Sequence, residues 1–291
     1  MKKVQWPNNL VNDIARRRCV IFLGSGISQN SVNEFGCHPK TWEKTLESGM
    51  QQLDKSAKKN VKKHIQSKNF LMACELIRHT MGRDKFVDFL KNEFTTPRFK
   101  EADIHKAIFD LDSRIVITPN FDSIYDVYVR HETHGAMQIK NYYDEDVADV
   151  IRGDNRLILK IHGDIGTPDK LIFTKVDYAR ARTIYSDFYS ILEALLLTHT
   201  FIFLGAGLND PDIALLLEDY NFKYGFTRKH YFVIPQKGLT DLERKIYEDS
   251  MGLQFIEYDP KNNHEQLLES ILDLNQKVEE QRHEISASNN W

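Results

Sequence analysis

Residues Cys19–Ser31 read CVIFLGSGISQNS. Val20–Leu23 is an unbroken apolar run, short enough for one buried strand. Gly24-Ser25-Gly26 then turns the chain, and a helix starts at once. A glycine turn between strand and helix lets backbone approach a phosphate, with the helix's unsatisfied N–H groups aimed at it. The dinucleotide fingerprint asks for a third glycine, and Gln29 stands at that place. Taken alone, the stretch is equally an ordinary strand–helix turn.

Three further stretches follow apolar runs in the same way: Thr118-Pro119-Asn120-Phe121-Asp122, Ile161-His162-Gly163-Asp164 and Gly205-Ala206-Gly207-Leu208-Asn209-Asp210. Ile115–Ile117, Leu157–Ile161 and Phe201–Leu204 supply the strands before them, and Tyr231–Ile234 and Leu253–Ile256 give two late strands. Short apolar strands alternating with helices predict an α/β fold, a doubly wound parallel sheet of about six strands. Ligands of such sheets bind beyond the carboxyl ends of the strands, where all four stretches fall.

From Thr41 to Asp110 the pattern is helical throughout. Trp42, Leu46, Met50 and Leu53 recur at three or four residues, then Phe70, Cys74, Ile77, Phe86, Phe89 and Leu90, until Pro97 breaks the run. The expected division is therefore 1–40 with 111–291 as the sheet domain, and 41–110 as an inserted all-helical subdomain covering the site. Residues 1–18 are expected to be helical from Asn8, residues 32–40 a loop, and 131–156 irregular. Leu171–Thr174 is expected as a short strand, Tyr178–Thr198 as one long helix, and Ser286–Trp291 as a frayed tail. His264–Ile285 reads as an amphipathic helix whose Leu267, Ile271, Leu274 and Val278 stripe packs on its own domain or on another subunit.

Composition narrows the classes. The 291 residues are 41% hydrophobic and 11% aromatic, enough for a sizeable core, and the formal net charge of −3 gives no basic field for nucleic acid. The basic run at Lys55–Lys63 reads as a solvated helix face. Cys19, Cys37 and Cys74 form no C-x-x-C pair, so a four-cysteine zinc module is excluded and no metal is expected. No apolar run reaches membrane-spanning length, and the basic N-terminus lacks a signal-type apolar core. A cytoplasmic protein is expected.

In order and spacing the four stretches resemble the sirtuin family: a GAGIS-type loop, a TQNID-type loop, an HG motif and a late GTS-type loop, from about Val20 to Tyr258. The lack of zinc ligands and the run HGDIGTPDKLIFTKVDY after the histidine resemble the sirtuin-like effectors of bacterial antiphage defence rather than the deacylating members. The resemblance implies a Rossmann-like domain with NAD⁺ as substrate. Gly24, Ser25 and Gly26 would face the pyrophosphate. Gly205 and Gly207 would face the adenosine half, and Ser28 and Asp122 the nicotinamide. Asn120 and His162 would be catalytic, His162 as general base, and Phe35 is the nearest match to a shielding phenylalanine. It further implies, as a possible partner, a HerA-type hexameric ATPase; a homo-oligomer is expected from the apolar stripe of the C-terminal helix. Each residue also has a plainer reading: Asn120, Asp122, Ser28, Asp210 and Asp212 as helix caps or helix N-terminal acids, His162 as a loop histidine bonded to a carbonyl, Asp164 as a cap or a loop anchor, Phe35 as a core pin. Deacylation, and a non-catalytic module that binds NAD⁺ or ADP-ribose, are the competing functions.

Overall fold

The computed structural model describes residues 3–208, 210–225 and 228–288. Asn209 of the late glycine loop and residues 289–291 of the tail lie outside the described residues, as does the side chain of Asp212. The strands are β1 (Cys19–Leu23), β2 (Ile115–Thr118), β3 (Gln138–Asn141), β4 (Leu157–Lys160), β5 (Thr200–Leu204), β6 (His230–Pro235) and β7 (Leu253–Tyr258). They form one sheet of seven in the order β3-β4-β2-β1-β5-β6-β7, parallel at every pairing. β1 lies between β2 and β5, with Val20 opposite both Ile115 and Phe201. All residues of β1, β2 and β4 are buried, as a parallel sheet covered on both faces requires.

The period of two divides the core. Ile21 and Leu23 face a layer made by α1 (Asn8–Ala15), α7 (Asp103–Asp110), α8 (Ile124–Glu132) and α14 (Lys261–Ala287). Val20 and Phe22 face the layer that contains α9 (Val147–Arg152), α10 (Lys175–Ile184), α11 (Ser186–Thr198) and α12 (Pro211–Tyr224). A one-turn α2 (Ser25–Ser28) follows β1, and α13 (Asp241–Met251) leads into β7.

Between β1 and β2 run α3 (Trp42–Gln51), α4 (Lys55–Gln66), α5 (Phe70–Met81) and α6 (Arg83–Phe94). Their own core is built from Leu46, Val61, Cys74, Ile77, Phe86, Phe89 and Leu90. Ile165, Leu171 and Phe173, from the segment after His162, complete it. α7 instead joins the layer with α1 and α14.

Several elements differ from the sequence reading. Residues 131–156 hold β3 and α9; β3 reads QIKN and is half-buried along its length, so an edge strand with one apolar residue gives no apolar run. Leu171–Thr174 is not a strand. Its alternation is real, with Leu171 and Phe173 entering the helical core and Ile172 the sheet core, but no strand pairs with it. Tyr178–Thr198 is two helices, because Tyr185 leaves the helical region at φ −112°, ψ 38°. α14 agrees with the reading: its range opens at Lys261, but Asn262, Asn263 and His264 are left-handed, so the right-handed helix begins just after His264.

The stripe on α14 is satisfied within the chain. Ile271, Leu274 and Val278 are wholly buried with Leu10, Ile14 and Ile108, and Trp6 Nε1 donates to Ser270 O at 3.0 Å. Ile271→Val is expected to cost about 1 kcal/mol in urea unfolding. Leu272→Ser, at a position 51% exposed on the same helix, is expected to change stability by under about 0.5 kcal/mol. Equal costs would contradict this packing.

Two buried histidines shape the acid limb of stability. His230 Nδ1 accepts from Phe201 N and burial holds its pKa down to about 4; His105 Nδ1 accepts from Ala102 N and burial lowers it as well. Both bind protons more readily unfolded. The contribution of His230 is whole above about pH 6.5 and is lost as pH falls toward 4, by up to about 1.4 kcal/mol per pH unit, and His105 acts in the same direction. Urea melts at pH 7, 6 and 5 check this; stability that is flat over that range contradicts it.

Candidate functional site

The two glycine loops interlock before they form anything else. Gly24 N donates to Leu204 O and Gly26 N to Gly205 O, both at 2.9 Å. A Cβ on Gly24 would stand 2.4 Å from Ala206 Cα and from Gly205 O. Gly205 is left-handed at φ +61°, and a Cβ there would stand 2.6 Å from Ile27 N. These glycines are needed for loop-on-loop contact. Gly24, Ser25, Ala206 and Gly207 line the cleft that results, whereas Gly26 and Gly205 lie behind it.

The TPNFD loop joins them from β2. Thr118 Oγ1 donates to Leu23 O and accepts from Asn120 N, tying the loop to the end of β1. Asn120 Nδ2 donates to Ser28 Oγ at 3.1 Å, and Ser28 Oγ donates to Asp122 Oδ2 at 2.9 Å. Asp122 Oδ1 accepts from Ile124 N, so the capping reading of Asp122 is correct for one oxygen while the other holds Ser28. Asn120 spends its amide on Ser28 rather than on the start of α8.

His162 follows β4 and is only 4% exposed. Among the described residues its Nε2 has no hydrogen-bond partner, and Asp210 Oδ2 lies 3.6 Å away. The Tyr178 ring packs edge-on at 5.1 Å, and Tyr178 Oη donates to Asp210 Oδ2 at 3.2 Å. Asp210 Oδ1 accepts from Ile213 N at the start of α12. Asp164 anchors its loop, accepting from Gly166 N and Ser123 Oγ. Burial would raise the Asp164 carboxyl, but the Lys160 ammonium 2.8 Å away holds it below its ordinary value.

The cleft measures about 240 Å³. It gathers Gly24, Ser25, Ser28, Asn120, Asp122, His162, Gly207 and Asp210 from the four loops. The opposite wall is aromatic. Trp42, Phe70 and Phe94 come from the inserted helices, Phe121 from the TPNFD loop and Phe173 from the segment after His162. Their rings form one chain of contacts, with centroids 5.5 Å apart for Trp42 and Phe70, 5.8 Å for Phe94 and Phe121, and 5.1 Å for Phe121 and Phe173. Helical periodicity marks Trp42 and Phe70 as apolar positions of the insertion, and nothing in the sequence pattern assigns Phe94 or Tyr178 to the site. Phe35, the expected shielding residue, is 79% exposed and does not line the cleft.

Residues 114–256 match the SIR2-like domain family. The chain is 25% identical over 246 residues to the defense-associated sirtuin 2 of Bacillus subtilis, covering 82% of this chain and 23% of that protein. It is 22% identical over 232 residues to the NAD(+) hydrolase ThsA of Acinetobacter baumannii (strain 532279), covering 79% of this chain and 45% of the relative. The ThsA of Enterococcus faecium gives 22% over 233 residues, 78% of this chain and 45% of the relative. The chain thus spans from about a quarter to under half the length of these relatives. The family match runs from β2 into β7, and the remaining motif, GSGIS, packs directly against the matched GAG loop: over that span the chain is similar to SIR2-like domains.

Proposed function

We propose that this cleft hydrolyses NAD⁺ to ADP-ribose and nicotinamide. The observation that carries the reading is the hydrogen-bonded row Asn120–Ser28–Asp122 on the same cleft as the buried, unbonded Nε2 of His162. The nicotinamide ring is cationic, so it leaves with the glycosidic electron pair and becomes neutral without an acid. Positive charge grows on the ribose, and the Asp122 carboxylate suits a place beside it. Asn120 orients a ribose hydroxyl or the attacking water. His162 Nε2 accepts a proton from the ribose hydroxyls, work for which histidine is suited near neutral pH. Water adds its oxygen to the ribose carbon and a proton is released.

Gly24, Ser25 and Gly207 form the backbone floor under the dinucleotide in this reading, with Gly26 and Gly205 holding that floor from behind. Within the expected 41–110 insertion, α3 to α6 act as a subdomain over the cleft while α7 packs on the sheet domain, and the aromatic wall excludes water from the leaving group. The relatives' names, a defense-associated sirtuin and NAD(+) hydrolases, support NAD⁺ cleavage in a defence role; an NAD⁺-depleting antiphage effector of the abortive-infection kind is the finer proposal, through the sirtuin resemblance. A homo-oligomer and, through the sirtuin resemblance, a HerA-type hexameric ATPase as partner are further parts of the proposal. Incubation with NAD⁺, with and without an acetylated-lysine peptide, separates the chemistries. Equal nicotinamide release in both, with no acyl transfer to ADP-ribose, is expected. Release only with peptide would mean a deacylase.

A further inference from the structure

We propose that Lys160 is a positioning residue that clamps the Asn120 loop to the His162 loop; the inference rests on reading the cleft as the NAD⁺ site. Lys160 ends β4, two positions before His162, and is wholly buried. A lysine at a strand end ordinarily reaches water. Here Nζ turns inward and meets three oxygens from three segments: Asp122 O at 2.7 Å, Asp126 Oδ2 at 2.5 Å and Asp164 Oδ2 at 2.8 Å. An ammonium has three donors, so its hydrogen-bonding capacity is filled. The first contact holds the backbone of the residue whose side chain fixes Ser28, which in turn fixes Asn120. The second reaches the first turn of α8, and the third fixes the loop that follows His162. Ser123 Oγ, donating to the same Asp164 oxygen, ties the two loops a second time.

Nothing in this cluster opens on the ligand: Lys160, Asp126 and Asp164 are absent from the cleft lining. A desolvated cation with two carboxylates contributes little net stability relative to an apolar core, but it fixes geometry, and removing one partner leaves charge buried alone. The positions of Asn120 and Asp122 relative to His162 decide turnover, and errors of about 1 Å are costly there.

The test compares the parent with Lys160→Met and with Lys160→Met/Asp126→Asn. The single change strands two carboxylates and is expected to lower Tm. The double change keeps the cluster's net charge at −1 and gives Asp164 an amide donor, so Tm should recover most of the loss. Asp122 O still lacks its anchor in the double variant. NAD⁺ cleavage should therefore stay about 10- to 100-fold below the parent through kcat, with KM little changed. Hydrogen exchange of backbone amides in 119–126 and 161–166 should quicken by about tenfold or more while the central strands stay protected. A double variant with parental kcat, or with parental exchange in both segments, overturns the clamp. A parent that releases no nicotinamide refutes the proposed reaction, and the exchange result then decides the clamp by itself.

Discussion

His162→Ala is expected to release nicotinamide from NAD⁺ 10²- to 10⁴-fold more slowly than the parent, the range for losing a positioned general base. Asn120→Ala should lose on the order of 10²-fold or more for a different reason, the loss of an orienting amide. The two differ in their structural cost. Ser28 keeps its bond to Asp122 when Asn120 is truncated, so Asn120→Ala should melt close to the parent. His162 is buried against Tyr178, and alanine leaves a gap there. His162→Gln, which fills more of that space and cannot act as the base, is the control: low turnover with near-parental Tm attributes the loss to chemistry. Either Asn120→Ala or His162→Gln folded, binding NAD⁺ and turning over at the parental rate would remove that residue from the mechanism. Asp122→Ala is a weaker probe, because losing its cap on Ile124 N alone costs about 1 kcal/mol.

Gly24→Ala should be among the most damaging single-methyl changes in the chain. The added Cβ would lie 2.4 Å from two backbone atoms of the Gly205–Ala206 loop, which cannot rotate away as a side chain could. The loops must part, breaking the Gly24 N–Leu204 O and Gly26 N–Gly205 O pairs at the floor of the cleft. A loss of about 3 kcal/mol is expected, at the upper end for overpacking. A loss of turnover on the order of 10²-fold should accompany it even at temperatures where the variant is folded. Gly153→Ala is the matched control, since a Cβ there meets nothing nearer than 3.5 Å and should change stability by under about 0.5 kcal/mol. Similar melts for the two variants would mean that the two loops do not touch as described.

What could be read from the sequence follows from burial. β1, β2, β4 and β5 sit at or near the middle of the sheet, and burial on both faces leaves each with a short apolar run. β3 lies at the edge, and Gln138, Lys140 and Asn141 carry no such mark. Leu171, Ile172 and Phe173 carry the mark without the strand, because two cores on opposite sides demand the same alternation that a sheet does. Asn120 and His162 were found through the order of the motifs, since each one alone is an ordinary loop residue. Trp42, Phe70 and Phe94 could not be found that way: periodicity says which helix face is apolar, not whether it meets another helix or a cleft. Lys160 was hidden by its type, as its three acceptors come from residues distant in the chain or, for Asp164, in a loop read only as an anchor.

The most direct measurement follows purified chain and NAD⁺ by proton NMR, beside His162→Gln under the same conditions. Free nicotinamide and ADP-ribose should appear in equal amounts with the parent and fall by at least about 10²-fold with the variant. NAD⁺ that stays intact while it still raises the parent's Tm would contradict hydrolysis and leave a cleft that binds the dinucleotide without cutting it.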